Sequence, residues 1–535
     1  MWWRTHRRRS EPEHLIDRIR SSVIGDDAAI DGPFGPRRLV YADYTASGRA
    51  LSFIEDYIRE RVLPLYANTH TEASATGRCM TALREDARRV IHRALNGTAD
   101  DVVLFCGSGS TAAIDKLIRI LELDRRRRPV VFIGPFEHHS NELPWRESPV
   151  DVVTIGEDAD GRADLDQLEH ELRRHADRSL KIGSFSAASN VTGIIADVDS
   201  TSRLLHDHGA LSLWDYAAAG PYLPISMAGK DAVFLSAHKF LGGPGTPGIL
   251  VLKRALLQNR IPSVPGGGTV LFVSPSGHAY HPDPVIREEG GTPAIVESIR
   301  AGLVFALKQQ VGVQEIRHRE QDFARRALAS WSRNPNIETL GSTTTERLPI
   351  VSLGLRHPPR LLHGNLVVAL LSDLFGIQAR SGCFCAGPYI HRTYQIDAQW
   401  SEGMDAQCAA GQLGIKLSFA RLGFNYFISE HVFQYILEAV HLLADHGAKL
   451  LPLYRFDPAS GAWRHRDAPP APTLADAAVP RRTRKPDRAL TGQLAEARRI
   501  IREVTAAPRQ PATPKVVLST ELERIRWFPL PGEAG

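Results

Sequence analysis

Ala232-Val233-Phe234-Leu235-Ser236-Ala237-His238-Lys239-Phe240-Leu241-Gly242-Gly243-Pro244-Gly245-Thr246-Pro247-Gly248-Ile249-Leu250-Val251 reads as an apolar strand, a polar turn holding one lysine, a glycine-rich connection and a second apolar strand. A lysine at the end of a buried strand loses part of its hydration. Its pKa then falls, and its amine becomes a nucleophile toward an aldehyde. Lys239 is therefore a candidate Schiff-base lysine.

Working outward, the same rhythm extends on both sides. Apolar runs stand at 102–105, 130–133, 152–155, 181–185, 211–214, 232–235 and 249–252. Segments with helical spacing lie between several of them, such as Ile114, Leu117, Ile118 and Leu121, or Leu165, Leu168 and Leu172. Short, nearly continuous apolar strands alternating with helices predict an α/β fold with a mostly parallel sheet covered on both faces. Ligands of such sheets bind beyond the carboxyl ends of the strands.

Past Gly290 the pattern changes. Ile295, Ile299, Leu303 and Ala306 mark a long helix, and 309–331 is helical and highly charged. A strand at 348–353, a helix at 365–374, a strand at 376–380 and a helix at 430–446 predict a smaller α+β domain. The expected organisation is a basic extension over 1–38, a large domain over 39–300, a small domain over 301–455 against which the N-terminal segment can pack, and a Pro/Ala/Arg-rich, partly disordered tail over 456–535 with one helix near 494–504.

Length and composition fit this plan. With 535 residues, 43% hydrophobic and 23% charged, the chain has the make-up of an ordinary soluble protein of two or three domains. The net charge of +5 is the balance of 65 basic and 60 acidic residues and does not point to nucleic acid. Five scattered cysteines do not make a disulfide framework, so a reducing compartment is expected. The basic start, Met1 to Arg9, is followed by Ser10-Glu11-Pro12-Glu13-His14 and not by an apolar segment, and no uncharged run is long enough to span a membrane. A cytoplasmic location without membrane attachment is expected.

Six features fall at predicted strand ends or in later loops. Cys106-Gly107-Ser108-Gly109-Ser110-Thr111 joins a strand to a helix, where backbone N–H groups and the Ser110 and Thr111 hydroxyls suit a phosphate. His138, in Glu137-His138-His139-Ser140-Asn141, can stack on a flat heteroaromatic ring, and Asn190, in Ser189-Asn190-Val191-Thr192-Gly193, can bond a ring hydroxyl. Asp215 follows an apolar run, where a carboxylate needs a cationic partner to stay ionised. A protonated pyridine nitrogen is such a partner, and holding it protonated makes the ring an electron sink. Ser236, His238 and Lys239 come after the next strand, and Glu288-Glu289-Gly290-Gly291-Thr292-Pro293 adds a hydroxyl beside a glycine pair. In this order and spacing the set describes pyridoxal 5'-phosphate, with no metal.

The run of Glu-His-His, Ser-Asn-Val-x-Gly, Asp-x-Ala, Ser-x-His-Lys-x-x-Gly-Gly-Pro-Gly and Gly-Gly-Thr-Pro closely resembles the class V aminotransferase family, which holds cysteine desulfurases, selenocysteine lyases and the molybdenum-cofactor sulfurase domain. The resemblance covers about 41–450. It implies the fold type I (aspartate-aminotransferase-like) architecture and a homodimer with its site at the subunit interface. It further implies Lys239 as the internal aldimine, His138 as the stacking imidazole, Asp215 as the pyridinium partner and Asn190 near the ring hydroxyl. Ser110, Thr111, Ser236 and His238 would contact the phosphate, and Thr292 would do so from the other subunit.

Two more matches concern the reaction. Arg421, in Ala420-Arg421-Leu422-Gly423, resembles the arginine that grips a substrate α-carboxylate, for which a guanidinium fork is suited. Arg380-Ser381-Gly382-Cys383-Phe384-Cys385-Ala386 resembles the loop that presents the nucleophilic cysteine of desulfurases, with Cys385 at the matching position. Cys383 reads either as a resolving thiol or as a structural neighbour. The resemblance thus implies C–S bond cleavage in cysteine or a related thio-amino acid, through a Cys385 persulfide, with a sulfur-acceptor protein as a further partner. The alternative is an aminotransferase, epimerase or β-lyase acting on another amino acid, with Cys385 non-essential. Three departures stand out: Ala218 where desulfurases have glutamine, an insertion between Cys385 and Arg421, and the tail.

Overall fold

The computed structural model describes residues 12–26, 28–471, 473–474, 490–506 and 518–533. The chain divides into two compact units, the first built from segments up to Ile24, Thr45–Arg319 and Thr345–Leu348, the second from Gly25–Tyr44, Glu320–Thr344 and Pro349 onward.

The first unit is organised on a seven-stranded sheet. Its strands are β1 (Asp101–Phe105), β2 (Val130–Ile133), β3 (Asp151–Thr154), β4 (Lys181–Ser186), β5 (Leu211–Asp215), β6 (Ala232–Ser236) and β7 (Gly248–Lys253), in the spatial order β1-β7-β6-β5-β4-β2-β3. Only β7 runs antiparallel to its neighbours β1 and β6; the other pairings are parallel. The glycine-rich connection reverses the chain after Lys239 and sends β7 back between β6 and β1. All seven strands lie within a residue or two of the runs expected from sequence, and the fold is the α/β one predicted.

The apolar character of the runs follows from burial on both faces. Every residue of β1, β2 and β6 is buried. Helices α1 (Ala75–Ala94), α2 (Gly109–Ile120), α3 (Leu165–Arg174) and α4 (Val198–Asp207) belong to this unit. Leu117 of α2 and Leu104, Ile133 and Phe234 of the sheet share one cluster. Trp214 of β5 is fully buried, and its indole N–H finds the Ser202 and Ser212 hydroxyls at 2.9 Å, so burying it leaves no polar atom unpaired. The exception is a hairpin, β8 (Val270–Ser274) and β9 (Gly277–Tyr280), whose Leu271, Phe272 and Val273 are 61–65% exposed. Helix α5 (Ile295–Val311) ends at Gly312, whose φ of 86° breaks the single helical run and starts α6 (Val313–Trp331).

The second unit holds a sheet of β10 (Ile337–Thr339), β11 (Ile350–His357), β12 (Arg380–Gly382) and β13 (Phe419–Gly423), ordered β10-β11-β13-β12 and antiparallel throughout. Its helices are α7 (Gly364–Phe375), α8 (Gly387–Thr393), α9 (Ala398–Ala409), α10 (Glu430–His446), α11 (Leu490–Ala506) and α12 (Thr520–Ile525), with a hairpin of β14 (Tyr454–Asp457) and β15 (Ala462–His465).

The units divide the chain differently from the sequence expectation. Residues 25–44 belong to the second unit because Val40–Tyr41 pairs in parallel with Ile377–Gln378, and Gly423 donates to the Ala42 carbonyl at 2.7 Å. The boundary placed near 300 falls at 319/320, inside α6. Parts of the expected disordered tail are ordered. Leu490, Leu494, Ala497, Ile500 and Ile501 of α11, with Leu522, Ile525 and Phe528, join the core of the second unit. The amphipathic spacing of these residues supplies the apolar face; their Pro- and Arg-rich flanks obscured it. The Arg481-Arg482-Thr483-Arg484-Lys485 cluster and residues 1–11 lie outside the described residues.

Candidate active site

The carboxyl ends of β1, β2, β4, β5 and β6 open onto one cavity of about 380 Å³ within the first unit. Ser110, Thr111, His138, Asn190, Asp215, Ser236, His238 and Lys239 all line it, drawn from five separate segments.

Ser108-Gly109-Ser110-Thr111 forms the start of α2. The Ser110 amide donates to Ser236 Oγ at 2.9 Å, tying this turn to the end of β6. Gly109 has φ 57°, and a side chain there would meet Ser236 Oγ at 2.8 Å. Gly248, where the glycine-rich connection enters β7, has the Gly109 carbonyl 2.0 Å from its would-be Cβ. Gly248 is therefore fixed by close approach of two backbones, and Gly109 by its left-handed φ and the Ser236 side chain, which brings the helix start against the lysine turn.

His138 caps the short turn after β2, its Nδ1 accepting from the Ser140 amide at 3.1 Å. The ring proton of the neutral imidazole thereby sits on Nε2. Thr111 Oγ1 donates to Ser140 Oγ at 2.7 Å, joining the phosphate-type turn to the histidine turn. Behind them is Glu137, fully buried, accepting from the Ser186 amide (2.8 Å), Ser186 Oγ (2.6 Å) and Asn141 Nδ2 (2.6 Å). Burial pushes its carboxyl up to about 7, with Asp215 adding to the rise.

Asp215 ends β5 and is 4% exposed. Burial raises its pKa, opposed by the bond it accepts from the Ala217 amide and by the Lys239 charge. A buried carboxylate of this kind is stabilised by a cation placed beside it. His238 has its pKa lowered to about 4 by burial and by the neighbouring Lys239, which leaves it a neutral donor and acceptor at pH 7.

The lysine turn is itself clamped. The Gly48 amide donates to the His238 carbonyl at 2.8 Å, and a Cβ at Gly48 would lie 1.9 Å from the Phe240 carbonyl oxygen. Phe240 stacks on Phe305 at 4.7 Å. Lys308 Nζ donates to the Gly220 and Leu223 carbonyls at 2.5 Å and lies 5.6 Å from the centre of the Phe240 ring.

This donor set fits pyridoxal phosphate on its own chemistry. A helix start rich in hydroxyls meets an anion, a buried carboxylate meets a pyridinium, and an amine on the adjoining strand end meets an aldehyde. Ala218 also lines the cavity, so the substitution noted in sequence falls on the cavity wall.

The remaining expected residues lie elsewhere. Thr292 is outside this cavity, its Oγ1 accepting from Asn68 Nδ2 at 3.2 Å. Arg421 and Cys385 belong to the second unit. Arg421 is 4% exposed on β13 and pairs with Asp43 at 3.2 Å. Cys385 is exposed, just past β12. Two residues went unnoticed in sequence. Glu137 stands four residues past the end of β2 beside the two histidines, and its place in that motif was its only signal. Asp43 sat in a polar loop with nothing near it in sequence to mark it.

An α/β fold of this topology, with a lysine, an aspartate and a helix start at adjoining strand ends, defines a pyridoxal-phosphate-dependent enzyme of fold type I. Residues 40–423 match the sequence pattern of the family described as aminotransferase class-V. The chain belongs to the class-V aminotransferase family. Among similar curated proteins, a probable cysteine desulfurase of Staphylococcus aureus (strain Mu50 / ATCC 700699) is 28% identical over 389 residues, covering 70% of this chain and 89% of the relative. A probable cysteine desulfurase of Halalkalibacterium halodurans is 28% identical over 361 residues, covering 65% and 84%. Among solved structures, an apo cysteine desulfurase from Thermococcus onnurineus NA1 has a TM-score of 0.66 at 21% identity, over 80% of this chain and 98% of that one. A NifS-like protein from Rickettsia africae has a TM-score of 0.60 at 19% identity, over 76% and 99%. Among the described residues no helix is long and apolar enough to cross a membrane.

Proposed function

We propose that the protein cleaves the C–S bond of cysteine or a related thio-amino acid, with Cys385 as the sulfur acceptor. The observation that carries the proposal is an exposed cysteine on the loop after β12, in a chain whose lysine cavity is lined by eight of the nine residues expected to hold the cofactor.

In this proposal the Lys239 amine would hold the cofactor's aldehyde group and Asp215 its ring nitrogen. His138 would pack against the ring and Asn190 would serve its hydroxyl. Ser110, Thr111, Ser236 and His238 would hold the phosphate. Pyridoxal phosphate, when bound, supplies a carbonyl for the substrate amine and a ring that withdraws electrons from the α-carbon. Arg421 binds the substrate carboxylate. Lys239 moves the α-proton. The Cys385 thiolate attacks the substrate sulfur, the C–S bond breaks toward carbon, and the products are alanine and a Cys385 persulfide. An acceptor protein then takes the sulfur from this exposed position.

A homodimer belongs to the same proposal, with Thr292 reaching the phosphate of a second copy. The apolar, exposed β8–β9 hairpin supports it, because three consecutive large apolar side chains in solvent are disfavoured unless covered.

The test is to measure alanine and sulfide from L-cysteine under reductant. Wild type yields both, Cys385→Ala yields neither, and Lys239→Ala loses both the turnover and the cofactor's Schiff-base absorbance band. Full turnover by Cys385→Ala would defeat the assignment and favour transamination, epimerisation or β-elimination.

A further inference from the structure

The turn that carries Cys385 carries a second thiol. Cys383 follows β12 directly, and the Ala386 amide donates to the Cys383 carbonyl at 3.0 Å, closing a four-residue turn. Both central residues are left-handed, Phe384 with φ 55° and Cys385 with φ 56°. Such a conformation is strained for a residue other than glycine. Two in succession need an anchor, and Phe384 provides one: its ring is 6% exposed and lies 4.7 Å from the Arg421 guanidinium. The anchor leaves Cys385 exposed and Cys383 partly buried beside it.

A single left-handed residue sets its two neighbours at the same Cα separation as its right-handed mirror image, about 5.4 Å from helix dimensions. Two cysteines can be joined when their Cα atoms are about 4.4–6.8 Å apart. Cys383 and Cys385, separated only by left-handed Phe384, fall inside that window.

We propose that Cys383 is a resolving thiol, which discharges sulfur held on Cys385 by forming a disulfide within the loop. The inference rests on Cys385 being the sulfur acceptor, as proposed above. The Cys383 thiol ionises, its proton passing to solvent, and the thiolate attacks the inner sulfur of the persulfide. The Cys383 Sγ–Cys385 Sγ bond forms, the bond from Cys385 Sγ to the outer sulfur breaks, and hydrosulfide leaves with the electron pair. The outer sulfur is reduced to sulfide while the Cys383 sulfur is oxidised, so the step needs no external oxidant. A low-molecular-weight thiol then restores both cysteines by exchange. Sulfur has two exits from this loop: transfer to an acceptor, or release as sulfide with the loop closed on itself.

The test uses the full-length, cofactor-loaded protein. One sample is treated with sodium tetrasulfide, which places sulfur on exposed thiols without passing through the lysine cavity, and another with L-cysteine. Both are blocked with iodoacetamide, and the tryptic peptide spanning 381–392 is weighed without reduction. Wild type treated with tetrasulfide is expected to give the peptide unalkylated and lighter than the dithiol form by two hydrogens. Cys383→Ser and Cys383→Ala are expected to give an alkylated peptide heavier by one sulfur on Cys385, and no disulfide. The proposal is overturned if tetrasulfide-treated wild type keeps an alkylated Cys385 persulfide to the same extent as these variants. The L-cysteine sample separates the two assignments. A disulfide with tetrasulfide but an unchanged dithiol with L-cysteine supports the pairing of the thiols and removes the desulfuration on which it was placed.

Discussion

Arg380 and Arg421 stand directly opposite one another in the β12–β13 register, two cations on adjacent antiparallel strands. Like charges so placed repel. Asp43 lies between them, accepting from Arg380 Nε at 3.0 Å and pairing with Arg421 at 3.2 Å. The two partners differ in burial: the Arg380 side chain is 55% exposed and that of Arg421 only 4%. Asp43→Asn removes a carboxylate paired with the buried Arg421 charge and is expected to destabilise the protein by about 3 kcal/mol. Arg380→Ala removes an exposed partner and is expected to cost under ~1 kcal/mol. Urea unfolding of the two variants checks this, and equal losses would show that Asp43 serves both arginines alike.

Gly48 presses on the lysine turn from outside the cavity. With the Phe240 carbonyl oxygen 1.9 Å from its would-be Cβ, Gly48→Ala must push residues 238–241 away. Overpacking of this kind costs about 1–3 kcal/mol. Titration with pyridoxal phosphate, followed by absorbance, is expected to show weaker binding than in wild type although no cavity residue has changed.

Glu137 makes stability depend on pH. Its carboxyl stands at about 7 in the folded protein against an ordinary value of 4.5. The folded state therefore holds the proton more tightly than the unfolded one. The resulting stabilisation is fully present below pH 4.5 and is lost as pH rises through about 7. It amounts to about 3 kcal/mol across that interval, from 1.4 kcal/mol per pH unit. Unfolding free energies of wild type and Glu137→Gln, whose neutral amide stands in for the protonated acid and is placed to keep the Ser186 and Asn141 contacts, are expected to converge toward pH 5 and to diverge toward pH 8, where the variant is the more stable. The variant shows a shallower fall with pH over this interval.

The exposed hairpin predicts the oligomeric state. Replacing Leu271 and Phe272 by glutamate puts two charges on the face proposed to meet a second copy. Sedimentation of the double variant is expected to report a monomer where wild type gives a dimer. An unchanged dimer would place the contact elsewhere.

The ordered part of the tail carries structural load in the second unit. Phe528 is 1% exposed among Phe456, Trp463 and His363. Phe528→Ala is expected to cost about 3–5 kcal/mol, read from chemical unfolding.

What could be read from the chain alone follows from where the signals sat. The seven strands were legible because burial on both faces makes them continuous apolar runs, and the cavity residues were legible because each lies within about six residues past the end of one of those runs. Asp43 was not, since its partners Arg380 and Arg421 come 337 and 378 residues later and only the folded sheet brings them together. Helix α11 was found but underestimated, because Pro- and Arg-rich flanks masked a buried face that extends from Leu490 to Ile501. The interleaving of the two units was not legible for a related reason: residues 25–44 lie in sequence between two segments of the first unit, yet Val40–Tyr41 pairs with Ile377–Gln378 of the second.

The insertion after Cys385 and the segment at the end of the chain meet in the second unit. Trp400 of α9 donates to the Ile525 carbonyl at 3.1 Å, and Trp527 donates to the Ile415 carbonyl at 2.8 Å. Each supplies a wall for the other, although more than a hundred residues separate them. Removing either segment alone would bare the apolar side chains that the other covers, so the two are expected to fold and to unfold as one block.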